Sequence, residues 1–256
     1  MVKPQLLEKA KEVYTPSQVK KLLKAINFAT KSHEGVKRAT GDDYITHPLT
    51  VASYLIDWNM DLDSVIAGLL HDVMEDCDVK MSVIKDMFGE EVLRLVDGVT
   101  KLGKVRKGMK DIDLYLPQTK DNLTKLLIAT GVDIRVIIIK LADRLHNLQT
   151  LFALSPAKQR KIAKESLDVF APLADRMNMG RVRVQIEELS FSYLDPKRFN
   201  FLKKQMRRRL GRASKKLDKV RADVKKELTK SGIKFEMDGR VKSIYSLHKK
   251  LAKHNQ

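Results

Sequence analysis

One cysteine, Cys77, stands in the 256 residues, so no disulfide can form within the chain, and a reducing cytoplasm is the simplest home. No stretch approaches the ~18 consecutive apolar residues of a membrane-spanning helix, which argues against a membrane protein. The opening MVKPQLLEKAKEVY has no continuous apolar run, so no signal peptide is expected. Aromatics are scarce, at 6%, with a single tryptophan. There is no Cys/His zinc-finger spacing, no aromatic RNA-binding motif, no internal repeat and no low-complexity tract. What remains is rich in Leu, Ile, Val, Ala and Met. With 43% apolar residues the chain can bury a sizeable core, and these residue types suit packed helices.

The net charge of +18 is uneven. Residues 197–256 hold 21 Lys and Arg against 5 Asp and Glu, a net of +16, which leaves +2 for everything before them. A basic stretch of this kind serves contact with RNA, the ribosome or acidic ligands, and equally serves as a solvated helix face.

Helical periodicity dominates to about residue 230. Thr15-Pro16 reads as an N-cap followed by Pro at the first helical position, opening a helix through Val19, Leu22, Leu23, Ile26 and Ala29. Further helices are expected at Pro48–Asp57, from Asp61, at Met81–Phe88, Glu90–Val99, Pro117–Thr130, Asp133–Thr150, after Ser155-Pro156, and at Val169–Met177 and Val182–Tyr193. Gly103–Tyr115 mixes Gly, Lys and Asp without period and reads as a mobile loop. Phe201–Lys230 reads as one long basic helix, ended at Ser231-Gly232. Ile233–Met237 reads as a strand and Val241–Leu251 as a helix after it. A lone strand makes no sheet, so these last residues read as the start of a cut domain.

The chemistry concentrates in three segments. In Leu70-His71-Asp72-Val73-Met74-Glu75-Asp76, an apolar helix turns polar. His71 and Glu75 are four apart, as are Asp72 and Asp76, so each pair shares a face. Buried carboxylates need compensation, and a cation supplies it; imidazole with carboxylate suits Mn²⁺, Fe²⁺ or Zn²⁺. An exposed acidic helix end with an incidental His accounts for this segment equally well. Tyr44-Ile45-Thr46-His47-Pro48 places another His just before a helix, where a structural role is the ordinary one. In Lys140–Asn147, Asp143, His146 and Asn147 fall within about one turn after the apolar run Val136–Ile139. Asp143 there needs either Arg144 or a metal as partner. His, then His-Asp, then Asp on successive helices is the ligand order of the HD phosphohydrolases.

The surrounding runs are more specific. KRATGDDYITHP, AGLLHDVMEDC, LVDGVTKL, DIRVIIIKLADRLHN, VFAPLADRMNMG and ELSFSYLDP, over about residues 20–196, resemble in order the hydrolase half of the RelA/SpoT homologue family, which makes and degrades the alarmone (p)ppGpp. GRVKSIYSLHKKL resembles the opening motif of that family's synthetase domain. The resemblance implies an all-α HD-domain helical bundle over 1–196, a basic linker helix over 197–230, and over 231–256 a truncated α/β start of a nucleotidyltransferase-like synthetase domain without synthetase activity. It implies Mn²⁺ held by His47, His71, Asp72 and Asp143, with Glu75 and Asp76 activating and orienting the attacking water. Arg38 would face substrate, and Thr40, Asn147 and Thr150 would line the nucleotide pocket. Lys140 and Lys101 would neighbour phosphate, unless they are merely solvated lysines, and Tyr44 would be pocket wall or ordinary packing. The implied reaction turns ppGpp or pppGpp into GDP or GTP and pyrophosphate. Ala39 departs from the Lys or Ser common at its place, while Thr40 keeps the usual hydroxyl. Two alternatives are an HD phosphohydrolase acting on another nucleotide, and a catalytically idle regulatory or ribosome-associated fragment.

Overall fold

Side-chain caps set where several of the helices begin. In the computed structural model, which describes residues 2–108, 133–237 and 242–254, helix α1 spans Val2–Val13 and α2 Pro16–Ser32. Thr15 and Gln18 form a reciprocal capping box at the start of α2, with Thr15 N donating to Gln18 Oε1 at 3.0 Å. Helix α3 is Thr46–Asp57, and α4, Leu62–Leu70, starts where Asp61 accepts from Ser64 N at 3.0 Å. A short α5, Val73–Asp76, is followed by α6, Met81–Phe88, and α7, Glu90–Gly108. Helix α8, Ile134–Gln149, is capped by Asp133. Helix α9, Pro156–Glu165, runs through a wide π turn, Ser166–Phe170, into α10, Ala171–Arg176. Pro172 explains that turn: it has no N–H to donate and its ring crowds the preceding turn, so the helix widens. Helices α11, Gly180–Leu194, α12, Pro196–Lys230, and α13, Ile244–His254, complete the order.

Helix α4 is uniformly apolar from Val65 to Leu70, and Val65, Ile66, Leu69 and Leu70 are fully buried, as expected of a central helix. It packs against α2, α3, α7 and α8, and each such side chain contributes roughly 1.5–3 kcal/mol by leaving water. Helix α8 lies between two cores. Val136, Ile139 and Ala142 face the first, shared with α3, α4 and α7. Ile137, Leu141, Leu145 and Leu148 face the second, shared with α10 and α11. A third cluster joins Phe191, Leu202 and Ile244. Among the described residues no helix is long and apolar enough to cross a membrane.

Several expectations change. Helix α3 begins at Thr46, so His47 sits inside its first turn and not before it; Pro48 is tolerated there because first-turn N–H groups have no intrahelical partner. His71 and Asp72 form the joint between α4 and α5. Helix α7 continues to Gly108, so residues 103–108 are not a loop: Gly103 costs only about 1 kcal/mol in a helix already propagating from its packed half. Residues 109–115 of that expected loop, and the helix expected at Pro117–Thr130, lie outside the described residues. Residues 233–237 are not a strand, and no strand occurs among the described residues, so the expected α/β element is absent from them. An extended segment without a neighbour has nothing to pair its backbone with.

Two close helix approaches hinge on glycine. A Cβ on Gly68 of α4 would collide with Leu55 Cδ1 of α3, and one on Gly98 of α7 would sit 2.8 Å from Val136 Cγ2 of α8. Gly68→Val should therefore lower stability by about 2 kcal/mol, the scale of overpacking, read as a shifted urea midpoint. Ion pairs tie α7 to the start of α8: Arg135 meets Glu91 and, at 2.7 Å, Asp133. The Arg135 guanidinium lowers the Asp133 carboxyl to about 2. Because the folded value lies below the unfolded one, this stabilisation is present above pH ~4 and lost as pH falls toward ~2. Urea midpoints measured from pH 5 to 2.5 should fall less steeply in Arg135→Met than in the parent.

Candidate metal centre and adjoining cleft

Helices α3, α4 and α8 bring His47, His71 and Asp143 to one corner, where each offers a ligand atom within 4.8 Å of the others. His47 Nε2 lies 3.3 Å from Asp143 Oδ1 and 3.7 Å from Asp72 Oδ2. His71 Nε2 lies 3.1 Å from Asp72 Oδ2 and 3.9 Å from Asp143 Oδ1. Both rings are buried, at 2% and 1% exposure. The turn after Leu70 places His71 and Asp72 side by side at this corner.

Proton bookkeeping shows what the corner suits. His71 Nδ1 is 2.8 Å from Gly68 O, a group that only accepts, so Nδ1 carries the hydrogen. In the neutral ring the inward Nε2 is then a lone pair, buried and without a hydrogen bond, and open to a proton or a cation. A divalent cation among two imidazole nitrogens and two carboxylates fits that orphaned atom and the donor set, which suits Mn²⁺, Fe²⁺ or Zn²⁺. Burial opposes the carboxylate charges, but His71 outweighs it at Asp72, and Lys140 and His47 outweigh it at Asp143, so both carboxyls are held below their ordinary range. Burial pushes His47 down. It acts the same way on His71, where the Asp72 and Asp143 charges more than offset it and the net direction is up.

A surrounding layer orients these groups. Asn147 Nδ2 donates to Asp143 Oδ1 at 2.6 Å, and Lys140 Nζ lies 3.2 Å from Asp143 Oδ2. Tyr44 is neither simple wall nor simple packing. Its hydroxyl lies 2.8 Å from Asp72 Oδ2 and 2.9 Å from Asp76 Oδ2, and burial, reinforced by the Asp72 charge, pushes the phenol well above its usual range. Arg38 projects from a tight turn in which Gly41, at φ +88°, donates to Arg38 O. Arg38 Nη1 lies 2.9 Å from His146 Nδ1, and Nη2 donates to Asn147 Oδ1 at 3.0 Å and Thr150 Oγ1 at 3.3 Å. His47 Nδ1 is 2.7 Å from the same His146 Nδ1. Burial, with His47 and Arg38 beside it, lowers His146 to about 3. Among residues expected only as pocket lining, Asn147 thus bridges Arg38 and Asp143. His146, expected only to share a turn with Asp143, was given no role by sequence reasoning; its i+3 spacing from Asp143 was the available signal.

A cleft of about 460 Å³ opens beside the corner, lined by Arg38, Ala39, Thr40, Asp143, Asn147 and Thr150, and by Arg144, Lys158, Lys161 and Glu165. Lys158, Lys161 and Glu165 were not anticipated, because α9 reaches the cleft only in the folded chain. Thr40 hydroxyl donates to Asp42 Oδ2 at 2.8 Å. Arg144 pairs with Glu165 at 3.3 Å and covers the Phe170 ring, so the partner of Asp143 is not Arg144. Lys101 is 70% exposed and paired with Asp97, and does not line the cleft. Glu75 and Asp76 lie on α5, exposed at the edge of the corner.

Residues 25–180 match the family described as HD domain. The chain is 37% identical over 242 residues to the bifunctional (p)ppGpp synthase/hydrolase SpoT of Escherichia coli, covering 94% of this chain and 34% of that protein. It is 40% identical over 248 residues to a guanosine-3′,5′-bis(diphosphate) 3′-pyrophosphohydrolase of Aquifex aeolicus, covering 95% and 34%. It is 39% identical over 231 residues to a GTP pyrophosphokinase of Myxococcus xanthus, covering 89% and 30%. The chain spans about a third of the length of these relatives. A solved metazoan SpoT orthologue, described as hydrolysing ppGpp, has a similar fold, with a TM-score of 0.50 and 23% identity over 66% of this chain and 93% of that one.

A divalent cation at 100 times its dissociation constant should raise stability by about 2.7 kcal/mol. Thermal melts with Mn²⁺, Fe²⁺ or Zn²⁺ added singly should show the shift in the parent and lose it in His71→Ala.

Proposed function

This chain belongs to the HD domain family, and we propose that it is a Mn²⁺-dependent (p)ppGpp 3′-pyrophosphohydrolase whose activity resides in residues 1–196, with the basic helix 197–230 as a linker. The observation that carries the reading is the buried convergence of His47, His71, Asp72 and Asp143 beside a cleft that Arg38, Lys158 and Lys161 make cationic. The names of relatives that match over most of this chain support the choice of substrate.

A cation held by those four residues would supply Lewis-acid polarisation of a phosphoryl oxygen and acidify water. The remaining work falls to the chain. Glu75 and Asp76 orient the attacking water and take its proton. Tyr44 hydroxyl lies between Asp76 and Asp72 and can give its one hydrogen to either carboxylate. Arg38 keeps guanidinium N–H groups beyond its bonds to α8 and, with Lys140, offsets pyrophosphate charge. Thr40, Asn147 and Thr150 line the nucleotide side. Pyrophosphate leaves whole, so the bond that breaks joins O3′ to the first phosphorus. The water oxygen ends on pyrophosphate, and a proton ends on O3′.

Incubation with ppGpp and Mn²⁺ should release one pyrophosphate and one GDP per turnover. Asp72→Ala should reduce release to background, and Asp76→Asn should slow it by roughly 10²–10⁴-fold, the scale of general-base removal. No release by the unmutated chain, with Mn²⁺ bound, would overturn the substrate assignment; release from another nucleotide would redirect it.

A further inference from the structure

The hydrogens around His146 can be assigned from chemistry alone. Arg38 Nη1, 2.9 Å from His146 Nδ1, can only donate. His146 Nδ1 is therefore an acceptor. His47 Nδ1 lies 2.7 Å from that same atom. Two bare nitrogens would repel at this distance, so His47 Nδ1 must carry the hydrogen. The ring planes differ by 23° and the centroids are 4.9 Å apart. With the nitrogens at 2.7 Å, the rings meet edge to edge, nearly in plane, as a directed hydrogen bond requires. In the neutral ring this makes His47 Nε2 the lone pair, 3.3 Å from Asp143 Oδ1 and 3.7 Å from Asp72 Oδ2, on the side where a cation would be held.

We propose that His146 is a positioning residue: its Nδ1 lone pair, shared by Arg38 and His47, sets the His47 tautomer and ring orientation and anchors Arg38 to α8. The inference deepens the metal-centre reading and rests on it for its consequence, though not for its geometry. His71 is oriented by a backbone carbonyl. His47 is oriented by a side chain that also holds the arginine facing the cleft, which couples the cation corner to the substrate wall. The acceptor is itself fixed, because Leu145 and Leu148 beside it are buried in the second core and the His146 ring is 9% exposed. Groups that orient a metal-ligating histidine are worth about 10–100-fold in metal affinity.

Long-range ¹H–¹⁵N spectra of the metal-free full chain at neutral pH, with His47 and His146 assigned through His47→Gln and His146→Asn, should show His47 protonated at Nδ1. Asn places Oδ1 near the position of Nδ1 and keeps an acceptor; Leu fills similar space without one. His146→Leu should lose the single His47 tautomer and weaken Mn²⁺ binding, titrated with the metal alone, by about 10–100-fold. His146→Asn should stay within about threefold of the parent. The inference is overturned if parent His47 carries its hydrogen on Nε2, or if His146→Leu keeps both the tautomer and the affinity. If His146→Leu does not fold, a parent His47 found as a mixture of tautomers overturns it equally. A parent that binds no Mn²⁺ sinks the metal-centre reading instead, while the His47 tautomer still decides the hydrogen-bond assignment.

Discussion

Two carboxylates, Asp72 and Asp143, share a buried corner with two imidazoles, and the cost of burying that charge shapes everything around it. An uncompensated carboxylate away from water costs several kcal/mol. Compensation comes from three directions: Lys140 and Asn147 on Asp143, Tyr44 on Asp72, and the imidazoles between them. Among these groups the inward Nε2 of His71 is buried without a hydrogen bond, which fits a corner built for a cation.

Holding such a corner requires rigid supports. Helix α8 is clamped between two apolar cores, so Asp143, His146 and Asn147 project from a backbone that has little freedom to move. Helix α4 is buried from Ser64 to Leu70 and gives way at His71, where the backbone turns and presents His71 and Asp72 together. Gly68 serves twice: it lets α3 and α4 approach closely, and its carbonyl fixes the His71 tautomer. The elements that set stability therefore also set the geometry of the site.

Much of this was legible before folding was considered. The cap at Thr15-Pro16 and the helical period located most helices within a few residues, because caps and amphipathic spacing act locally, while the long helix expected from Phe201 in fact starts at Pro196, behind an Asp195 cap. The exceptions have local causes of their own. Gly103 did not stop α7, since propagation is cheap once a helix is packed, and Ile233–Met237 has no strand among the described residues to pair with. The doubt over Tyr44 could not be settled from sequence, because its partners Asp72 and Asp76 are 28 and 32 residues away.

By itself the sequence determined the helical class and the uneven charge, since residue type and spacing carry those directly; His47, His71, Asp72 and Asp143 stood out as a set only through their resemblance to the ligand order of the HD phosphohydrolases. Only the tertiary structure decided which residues serve them. The partner of Asp143 is Asn147 with Lys140, and Arg144 turns instead to Glu165 and Phe170. His146 meets His47 across 99 residues and Arg38 across 108. Hydrogen-bond direction depends on which atoms face each other at under 3 Å, and no periodicity in a chain encodes that until packing has brought the helices together.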